Sequence, residues 1–202
     1  QLTSIGLGSN FIESYGPNLP YMFYMNNLLS PVTLKEGMNI DFFLIDNNSL
    51  EVYGNGDILI AKLSGSGVWK WATVVGSPAF VDACRGIDVA ANDTIYATGY
   101  IREQMEFGNV SVLVNPGWDG WIGAISSAGE WEWVRTFGGD DIDVGWDVAV
   151  DSKGNLAVTG FFQNTSFFGA AGAVTALSQG NVYRYFLTYF NVTQQEFVWV
   201  KT

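Results

Sequence analysis

The sequence predicts an all-β fold that is built from a repeated unit of about 60 residues, because related segments recur along the chain at a nearly fixed period. Asp57–Trp71 and Asp119–Trp133 share their Asp, Ser, Gly and both Trp positions, and 119 − 57 and 133 − 71 both give 62. The repeated segments are short, rich in β-branched and aromatic residues, and bounded by Gly, Asn, Asp and Ser, which is typical of strands. No segment combines a helical apolar period with helix-capping residues. A fixed period indicates stacked units, because one unit alone cannot bury its apolar face.

A second block of sequence also recurs. Gly86–Asn92 is similar to Gly145–Asp151 at an offset of 59, and Thr94–Tyr100 is similar to Asn155–Phe161 at an offset of 61. This difference predicts that residues 153–154 lengthen one turn, because turn length varies more readily than strand register in diverged repeats.

Each unit is expected to contain four antiparallel strands, here called a to d. Trp199–Thr202 copies Trp133–Thr136, so strand d occurs three times. In the second unit the strands are predicted at Ile87–Ala91 (a), Ile95–Ile101 (b), about Gly120–Ser126 (c) and Glu130–Arg135 (d).

These repeats divide the chain into four parts. Residues 1–20 form an N-terminal extension outside the repeat, which we interpret as an arm for strand exchange between copies. Residues 21–75 are a diverged first unit, 76–137 the second and 138–202 the third.

The repeated pattern resembles the bacterial and archaeal β-propeller repeat family labelled SBBP. Asp57–Trp71, the turn at 138–141 and Gly145–Gly160 carry the resemblance, and Phe107-Gly108 and Phe168-Gly169 look like the family's region between strands b and c. The resemblance covers roughly residues 40–202. It implies a propeller-like fold of about three four-stranded antiparallel blades, and it implies no activity.

The chain departs from the family pattern at two places. Cys84 stands where the next unit has Asp143, and Tyr185–Asn191 lacks the Asp and Lys of the other strands c. Three blades are also too few for a propeller, since known propellers have about four to eight. Either this chain is a piece of a longer protein, or other copies complete the fold. A contact between copies that does not close would produce a filament.

The composition excludes several partners. The formal net charge is −11, so the chain offers no cationic surface for nucleic acid or for anionic membranes. No uninterrupted apolar run is long enough to cross a bilayer as a helix, and we therefore expect no membrane insertion.

Two observations favour export and a place outside the cell or on its surface. The first residue is Gln instead of Met, which suggests a processed or trimmed chain. Five N-x-[ST] sequons fall mostly at predicted turns, where a glycan could project. The glycosylation candidates are Asn47, Asn92, Asn109, Asn164 and Asn191.

The residue types argue against an enzyme. The chain has no His, which excludes Ser-His-Asp, Cys-His and His-metal sites, and its one Cys, Cys84, is interpreted as a buried structural thiol. Carboxylates are the remaining acid–base groups, and no cofactor other than calcium is expected. The candidate calcium ligands are Asp140, Asp141, Asp143 and Asp147. The alternatives are solvated turn residues and a glycosidase carboxylate pair.

The Trp residues of strand d are predicted to pack between blades. Strict alternation along the strand would put Trp131 and Trp133 on one face, with Glu130 and Glu132 on the other. One member of each Trp pair would then lie near the rim, or one row would be exposed for stacking on sugars. The predicted packing residues are Trp69, Trp71, Trp131, Trp133 and Trp199.

The sequence therefore predicts a non-enzymatic, exported structural or adhesive protein. It would self-associate into an oligomer or an extracellular filament through β-strand pairing. The alternative is a carbohydrate-binding or carbohydrate-cleaving propeller module, which needs an exposed cluster of aromatic and carboxylate groups on one end face. A β-sandwich with only apparent repeats is a third interpretation.

Overall fold

The computed structural model describes residues 57–63, 69–77, 80–169, 174–177 and 182–202, together with four short strands between residues 32 and 49. The proposed exchange arm at 1–20 and Asn47 lie outside the described residues. All regular elements of the described residues are strands, which confirms the all-β class. They are β1 (Val32–Thr33), β2 (Met38–Ile40), β3 (Leu44–Ile45), β4 (Asn48–Ser49), β5 (Asp57–Leu63), β6 (Trp69–Val75), β7 (Ala83–Val89), β8 (Ile95–Ile101), β9 (Met105–Phe107), β10 (Val110–Val112), β11 (Asp119–Ile125), β12 (Trp131–Gly138), β13 (Asp143–Val150), β14 (Leu156–Gln163), β15 (Thr165–Phe168), β16 (Val174–Leu177), β17 (Tyr183–Asn191) and β18 (Glu196–Lys201).

Three antiparallel sheets contain most of these strands. In the first sheet, β5 pairs with β1, β2 and β6. The second sheet has the order β7-β8-β11-β12 and is extended beyond β12 by β15 and β16. The third sheet has the order β13-β14-β17-β18. Neighbouring strands in the second and third sheets thus follow the predicted order a to d. Two small hairpins, β3–β4 and β9–β10, lie outside these sheets.

The pairing registers correct the offset that the sequence predicted for strand a. Val89 pairs with Ile95 in the second sheet, and Val150 pairs with Leu156 in the third. The offset is therefore the same for both strands of the pair, since 150 − 89 and 156 − 95 both give 61. The predicted insertion at 153–154 is wrong, because the two turns have the same length and equivalent backbone hydrogen bonds at their ends.

A bulge in strand a explains why local sequence similarity predicted the wrong offset for this strand. The extra residue is Arg85 in β7 and Trp146 in β13. The strand opposite has a glycine at each place: a Cβ on Gly99 would lie 1.8 Å from the Ala83 carbonyl oxygen, and one on Gly160 would lie 2.0 Å from that of Val144. Close approach of the bulged backbone therefore requires glycine.

The pairing register also identifies which residue of the second unit corresponds to Asp143. That residue is Asp82, which lies 61 positions before Asp143, and not Cys84. Both aspartates are fully buried, and each accepts a hydrogen bond from a backbone N–H a few residues before it. The repeat therefore includes a buried aspartate at the start of strand a.

A second bulge corrects the predicted faces of the tryptophans. Trp131 pairs with Ile125 and Trp133 pairs with Ala124, which leaves Glu132 as an extra residue between them. The two indole rings consequently lie on opposite faces of the second sheet. Equivalent register shifts separate Trp69 from Trp71 in the first sheet and Phe197 from Trp199 in the third.

The second sheet lies between the other two, with an apolar cluster on each face. On one face, Trp121 and Trp131 pack with Ile58 and Ile60 of the first sheet. On the other face is a cluster that includes Ile122, Trp133 and Phe137 of the second sheet and Val148, Leu156, Phe186 and Phe190 of the third. The core is thus two layers of apolar side chains between three sheets.

Candidate functional site

Three buried aspartates lie at the same end of the sheets, where strands a and c begin. Asp82 directly precedes β7, Asp119 is the first residue of β11, and Asp143 is the first residue of β13. None of the three residues has more than 1% of its surface exposed. Buried carboxyl groups usually need hydrogen bonds or a counter-charge.

Asp119 and Asp143 approach one another across Gly138. A Cβ on Gly138 would lie 2.2 Å from Asp119 Oδ1 and 3.2 Å from Asp143 Oδ2, so both carboxyl groups reach the space that a side chain would occupy. Asp119 Oδ2 accepts hydrogen bonds from the backbone and side-chain nitrogens of Asn115, at 2.8 Å and 3.1 Å. Asp143 Oδ2 accepts one from the Gly139 N–H, at 2.9 Å. Glycine at 138 makes the approach of the two groups sterically possible.

Burial raises the pKa of both carboxyl groups. The pKa of Asp119 rises to about 6, and the neighbouring charge of Asp140 adds to the effect of burial. The pKa of Asp143 rises to about 7 through burial, and the charges of Asp119 and Asp141 raise it further. The Ser166 side chain and the Gly139 N–H offset part of that rise. Near neutral pH the Asp119 and Asp143 carboxyl groups can therefore each be partly protonated.

Asp82 is buried in a similar way, with the charge of Glu103 nearby. Its oxygens accept hydrogen bonds from the N–H groups of Ser77 and Arg102, at 2.9 Å and 3.2 Å. Burial raises its pKa to about 6. Asp82 thereby ties the segment before β7 to the end of β8.

The structure does not bring the four predicted calcium ligands together. Asp140 is exposed on the turn, and the Asp141 side chain accepts a hydrogen bond from Asn164 Nδ2 at 2.7 Å. Asp147 is exposed in the middle of β13, and its Oδ1 accepts a bond from the Val148 N–H. Within the described residues, no group of three or more Asp, Glu, Cys or His side chains is arranged to hold a metal ion.

Only Asp143 of the predicted set belongs to the carboxyl pair, and its partner Asp119 was missed. A signal for Asp119 was present, because an Asp at the start of strand c recurs at positions 57 and 119. The sequence could not show that the end of β12 would place this residue beside Asp143.

The second notable feature is the face of the third sheet that points away from the second sheet, here called the terminal face. Along β17, Tyr183, Tyr185 and Leu187 are 51%, 81% and 41% exposed. Tyr189 stacks on Trp199 with ring centroids 6.0 Å apart, and both rings are half-buried. The aromatic and aliphatic side chains of the terminal face are Phe161, Tyr183, Tyr185, Leu187, Tyr189 and Trp199, and the exposed Thr159 and Lys201 flank Leu187 on the same face.

The two bulge residues of strand a contact one another beside this face. The Arg85 guanidinium lies 5.3 Å from the Trp146 ring and 5.4 Å from the Tyr100 ring, within the range of a cation–π interaction. Tyr100 stacks on Trp118 at 4.8 Å, whereas Trp146 remains 54% exposed. Through these contacts, Arg85 connects Tyr100 of the second sheet with Trp146 of the third.

The predicted packing tryptophans occupy different environments. Trp131 and Trp133 are each 8% exposed, and Trp133 stacks on Phe190 at 5.3 Å. Trp71 is half-buried, and its Nε1 donates a hydrogen bond to the Ser127 carbonyl oxygen at 3.0 Å. Trp199 lies on the terminal face, and the side chain of Trp69 lies outside the described residues.

The described sequons differ in how accessible their amide nitrogen is. Asn109 is exposed in the connection between β9 and β10, and Asn92 is exposed in the turn after β7. Asn191 is half-buried, and its side-chain oxygen accepts a hydrogen bond from the Gln194 N–H. The half-buried Asn164 uses its Nδ2, the atom to which a glycan would be attached, to bond Asp141.

No protein-family model matches the chain. No curated protein matches it either. Within the described residues, no helix is long and apolar enough to span a membrane.

Proposed function

We propose that the protein is a non-enzymatic structural or adhesive module that self-associates outside the cell. The observation that carries this proposal is the recurrence of one inter-sheet contact. The outer face of the first sheet packs on the inner face of the second, and the outer face of the second packs on the inner face of the third. A stack made from equivalent faces can be extended by further sheets of the same kind.

The finer fold that we propose is a propeller-like array of four-stranded blades. The order a to d in the second and third sheets, the repeated bulges and the equal offsets of strands a and b support equivalent units. Further units from a longer chain or from other copies would complete the array, because about four or more blades are needed for closure.

The surface chemistry supports a location outside the cell. The net charge of −11 keeps an apolar-rich protein dispersed, and exposed sequons such as Asn109 could carry glycans. The absence of His from the sequence and the burial of Cys84 support a role other than catalysis.

A carbohydrate-binding module is the second candidate, and one observation favours it. Trp146 is 54% exposed and lies 6.0 Å from the Phe161 ring, so an aromatic surface is open to a planar ligand such as a sugar ring. Titration with soluble oligosaccharides, followed by tryptophan fluorescence, tests this candidate. Saturable quenching that Trp146→Ala removes would favour it over self-association.

The native mass and shape of the protein test the main proposal. Light scattering coupled to size-exclusion chromatography, together with negative-stain microscopy, should detect rings, oligomers or filaments at micromolar concentration. A single monomeric species of 22.1 kDa over the whole concentration range would overturn the proposal that the protein self-associates.

A further inference from the structure

We propose that Asp119, Asp143 and Ser166 form a binding site for a calcium ion where the second sheet meets the third. Of the calcium ligands that the sequence predicted, this site retains only Asp143. The proposal goes beyond the proposed function and does not depend on self-association, because all three residues belong to one chain.

Each carboxyl group of the pair has one oxygen that is held in place and one that has no hydrogen-bond partner. Asp119 Oδ2 is held by Asn115, and Asp143 Oδ2 is held by the Gly139 N–H. Asp119 Oδ1 and Asp143 Oδ1 are buried, and within the described residues neither forms a hydrogen bond. Such an arrangement suits a metal ligand, because hydrogen bonds to one oxygen fix the orientation of the other.

The Ser166 hydroxyl is an independent observation that points to a ligand. Ser166 has no exposed surface, and its Oγ has no hydrogen-bond partner among the residues that the structure describes. The hydroxyl faces the Asp143 carboxyl group closely enough to lower its pKa, without forming a hydrogen bond of normal geometry. Buried polar atoms normally have a partner, so three such oxygens in one place indicate a cation that they share.

The counterpart of Asp143 in the second sheet has a different environment. This residue, Asp82, accepts hydrogen bonds with both of its carboxyl oxygens, from the N–H groups of Ser77 and Arg102. In the third sheet the residue equivalent to Arg102 is Gln163, because the offset of strand b is 61. The two sheets can therefore be compared donor by donor.

Two differences leave oxygens unused in the third sheet. The Gln163 N–H donates to the Ile142 carbonyl oxygen at 2.9 Å, and Asp143 Oδ1 is left without a donor. Ser166 stands 61 positions after Met105 and brings a hydroxyl beside Asp143, where the second sheet has an apolar side chain. The second sheet thus satisfies its aspartate internally, whereas the third presents oxygens to a further partner.

The donor atoms fit a hard divalent cation. Asp119 Oδ1 and Asp143 Oδ2 both lie within 3.2 Å of one point, the position that a Cβ on Gly138 would take. Carboxylate and hydroxyl oxygens are hard ligands that suit Ca²⁺, and water would complete the coordination. Two ionised carboxylates carry the charge that a divalent cation neutralises, which offsets the cost of burying them together.

The experiment measures Ca²⁺ binding by isothermal titration calorimetry after removal of metals with a chelator, at about pH 8, where carboxylate ligands are deprotonated. Asp143→Asn removes a charged ligand while its amide oxygen still accepts the Gly139 N–H. Ser166→Ala removes the third donor. A parallel titration with Mg²⁺ controls for general screening of the net charge of −11.

Two further variants are controls. Asp82→Asn is the matched control, because Asp82 is as buried as Asp143 but uses both oxygens in hydrogen bonds. Asp140→Asn removes an exposed charge from the neighbouring turn. Thermal unfolding in chelator checks that every variant is folded, and thermal unfolding with Ca²⁺ gives a second readout of binding.

We expect the wild type to bind one Ca²⁺ per chain with a Kd of about 1 mM or lower, and about 10 mM Ca²⁺ to raise its Tm by about 3 °C or more. Asp143→Asn should weaken binding by about tenfold or more and Ser166→Ala by about threefold or more, while both controls bind as the wild type does. Absence of saturable Ca²⁺ binding, equal binding of Mg²⁺, or wild-type affinity in either site variant would overturn the proposal. Loss of binding in a folded control variant would overturn it as well.

Discussion

Asp119 and Asp143 come from different sheets, yet their carboxyl oxygens reach the same space beside Gly138. Asp119 Oδ1 lies 2.2 Å and Asp143 Oδ2 lies 3.2 Å from the position of a Cβ at residue 138. Burial disfavours the charged form of both groups, and the charge of Asp119 further raises the pKa of Asp143. This arrangement makes the stability of the protein depend on pH in a defined direction.

We predict that unfolding free energy increases as pH is lowered from about 8 to about 5. The pKa values of Asp82, Asp119 and Asp143 are raised to about 6, 6 and 7, so protons bind more tightly to the folded state than to the unfolded chain. Their stabilising contribution is fully present below about pH 4 and is lost as pH rises through about 6 to 7. Urea unfolding at several pH values should show a gain in unfolding free energy on the order of 5 kcal/mol at the acidic end. A loss of stability over the same interval would contradict the prediction.

Asp143→Asn should stabilise the protein at about pH 8. The amide oxygen can still accept the Gly139 N–H, while the substitution removes a buried charge that repels Asp119. We expect the unfolding free energy to increase by about 1–2 kcal/mol at that pH and to depend less on pH than in the wild type. Asp140→Asn is the control, because Asp140 is exposed and its replacement should change stability by less than about 0.5 kcal/mol. Urea unfolding measures both, and destabilisation of Asp143→Asn under these conditions would count against the coupled pair.

Gly99→Ala and Gly160→Ala should each destabilise the fold strongly. A Cβ would lie 1.8 Å or 2.0 Å from a carbonyl oxygen of the bulged strand a, and backbone atoms cannot move aside without breaking the pairing. We expect a loss of more than about 2 kcal/mol for each. Gly154→Ala is the comparison: nothing lies within 4 Å of its Cβ, but a φ of +83° should cost about 1 kcal/mol. Thermal unfolding would rank the three, and equal effects would show that the bulge is not the cause.

We predict that glycan occupancy is higher at Asn109 than at Asn164. Asn109 is exposed between β9 and β10, whereas Asn164 is half-buried and donates its Nδ2 hydrogen to Asp141. We expect a glycan at Asn109 and little or none at Asn164 when the protein is secreted from a host that modifies sequons. Peptide mass spectrometry with and without enzymatic removal of glycans measures the occupancy at each. Full occupancy at Asn164 with none at Asn109 would be the opposite result.

The sequence predicted the features of the fold that depend on local chemistry. Gly, Asn and Asp at the turns and β-branched or aromatic residues between them located the strands of the second and third sheets, such as Ile95–Ile101. The antiparallel pairing of strand a with b and of strand c with d also followed, because those two connections are short.

The sequence did not predict the bulges or the carboxyl pair. A bulge adds one residue without changing composition, so alternation assigned Trp131 and Trp133 to one face and local similarity aligned strand a at the wrong offset. The proximity of Asp119 and Asp143 depends on how the end of one sheet meets the start of the next, which no local pattern encodes.

The two tryptophans of β12 provide a test of the second bulge. If the two rings shared a face, one would lie near the rim, and its removal would change the unfolding free energy little. Because they lie on opposite faces and are both 8% exposed, Trp131→Ala and Trp133→Ala should each lower the unfolding free energy by about 3–5 kcal/mol.

Trp199→Ala is the matched control for this pair, since Trp199 occupies the position of Trp133 in a sheet whose outer face is open. In the monomeric state its loss should cost about 1–2 kcal/mol, because a half-buried ring loses less apolar contact on removal than a buried one. Urea unfolding at low protein concentration separates this effect from association. A small effect of either Trp131→Ala or Trp133→Ala would restore the same-face arrangement, and an effect of Trp199→Ala as large as theirs would mean that the terminal face is covered within one chain.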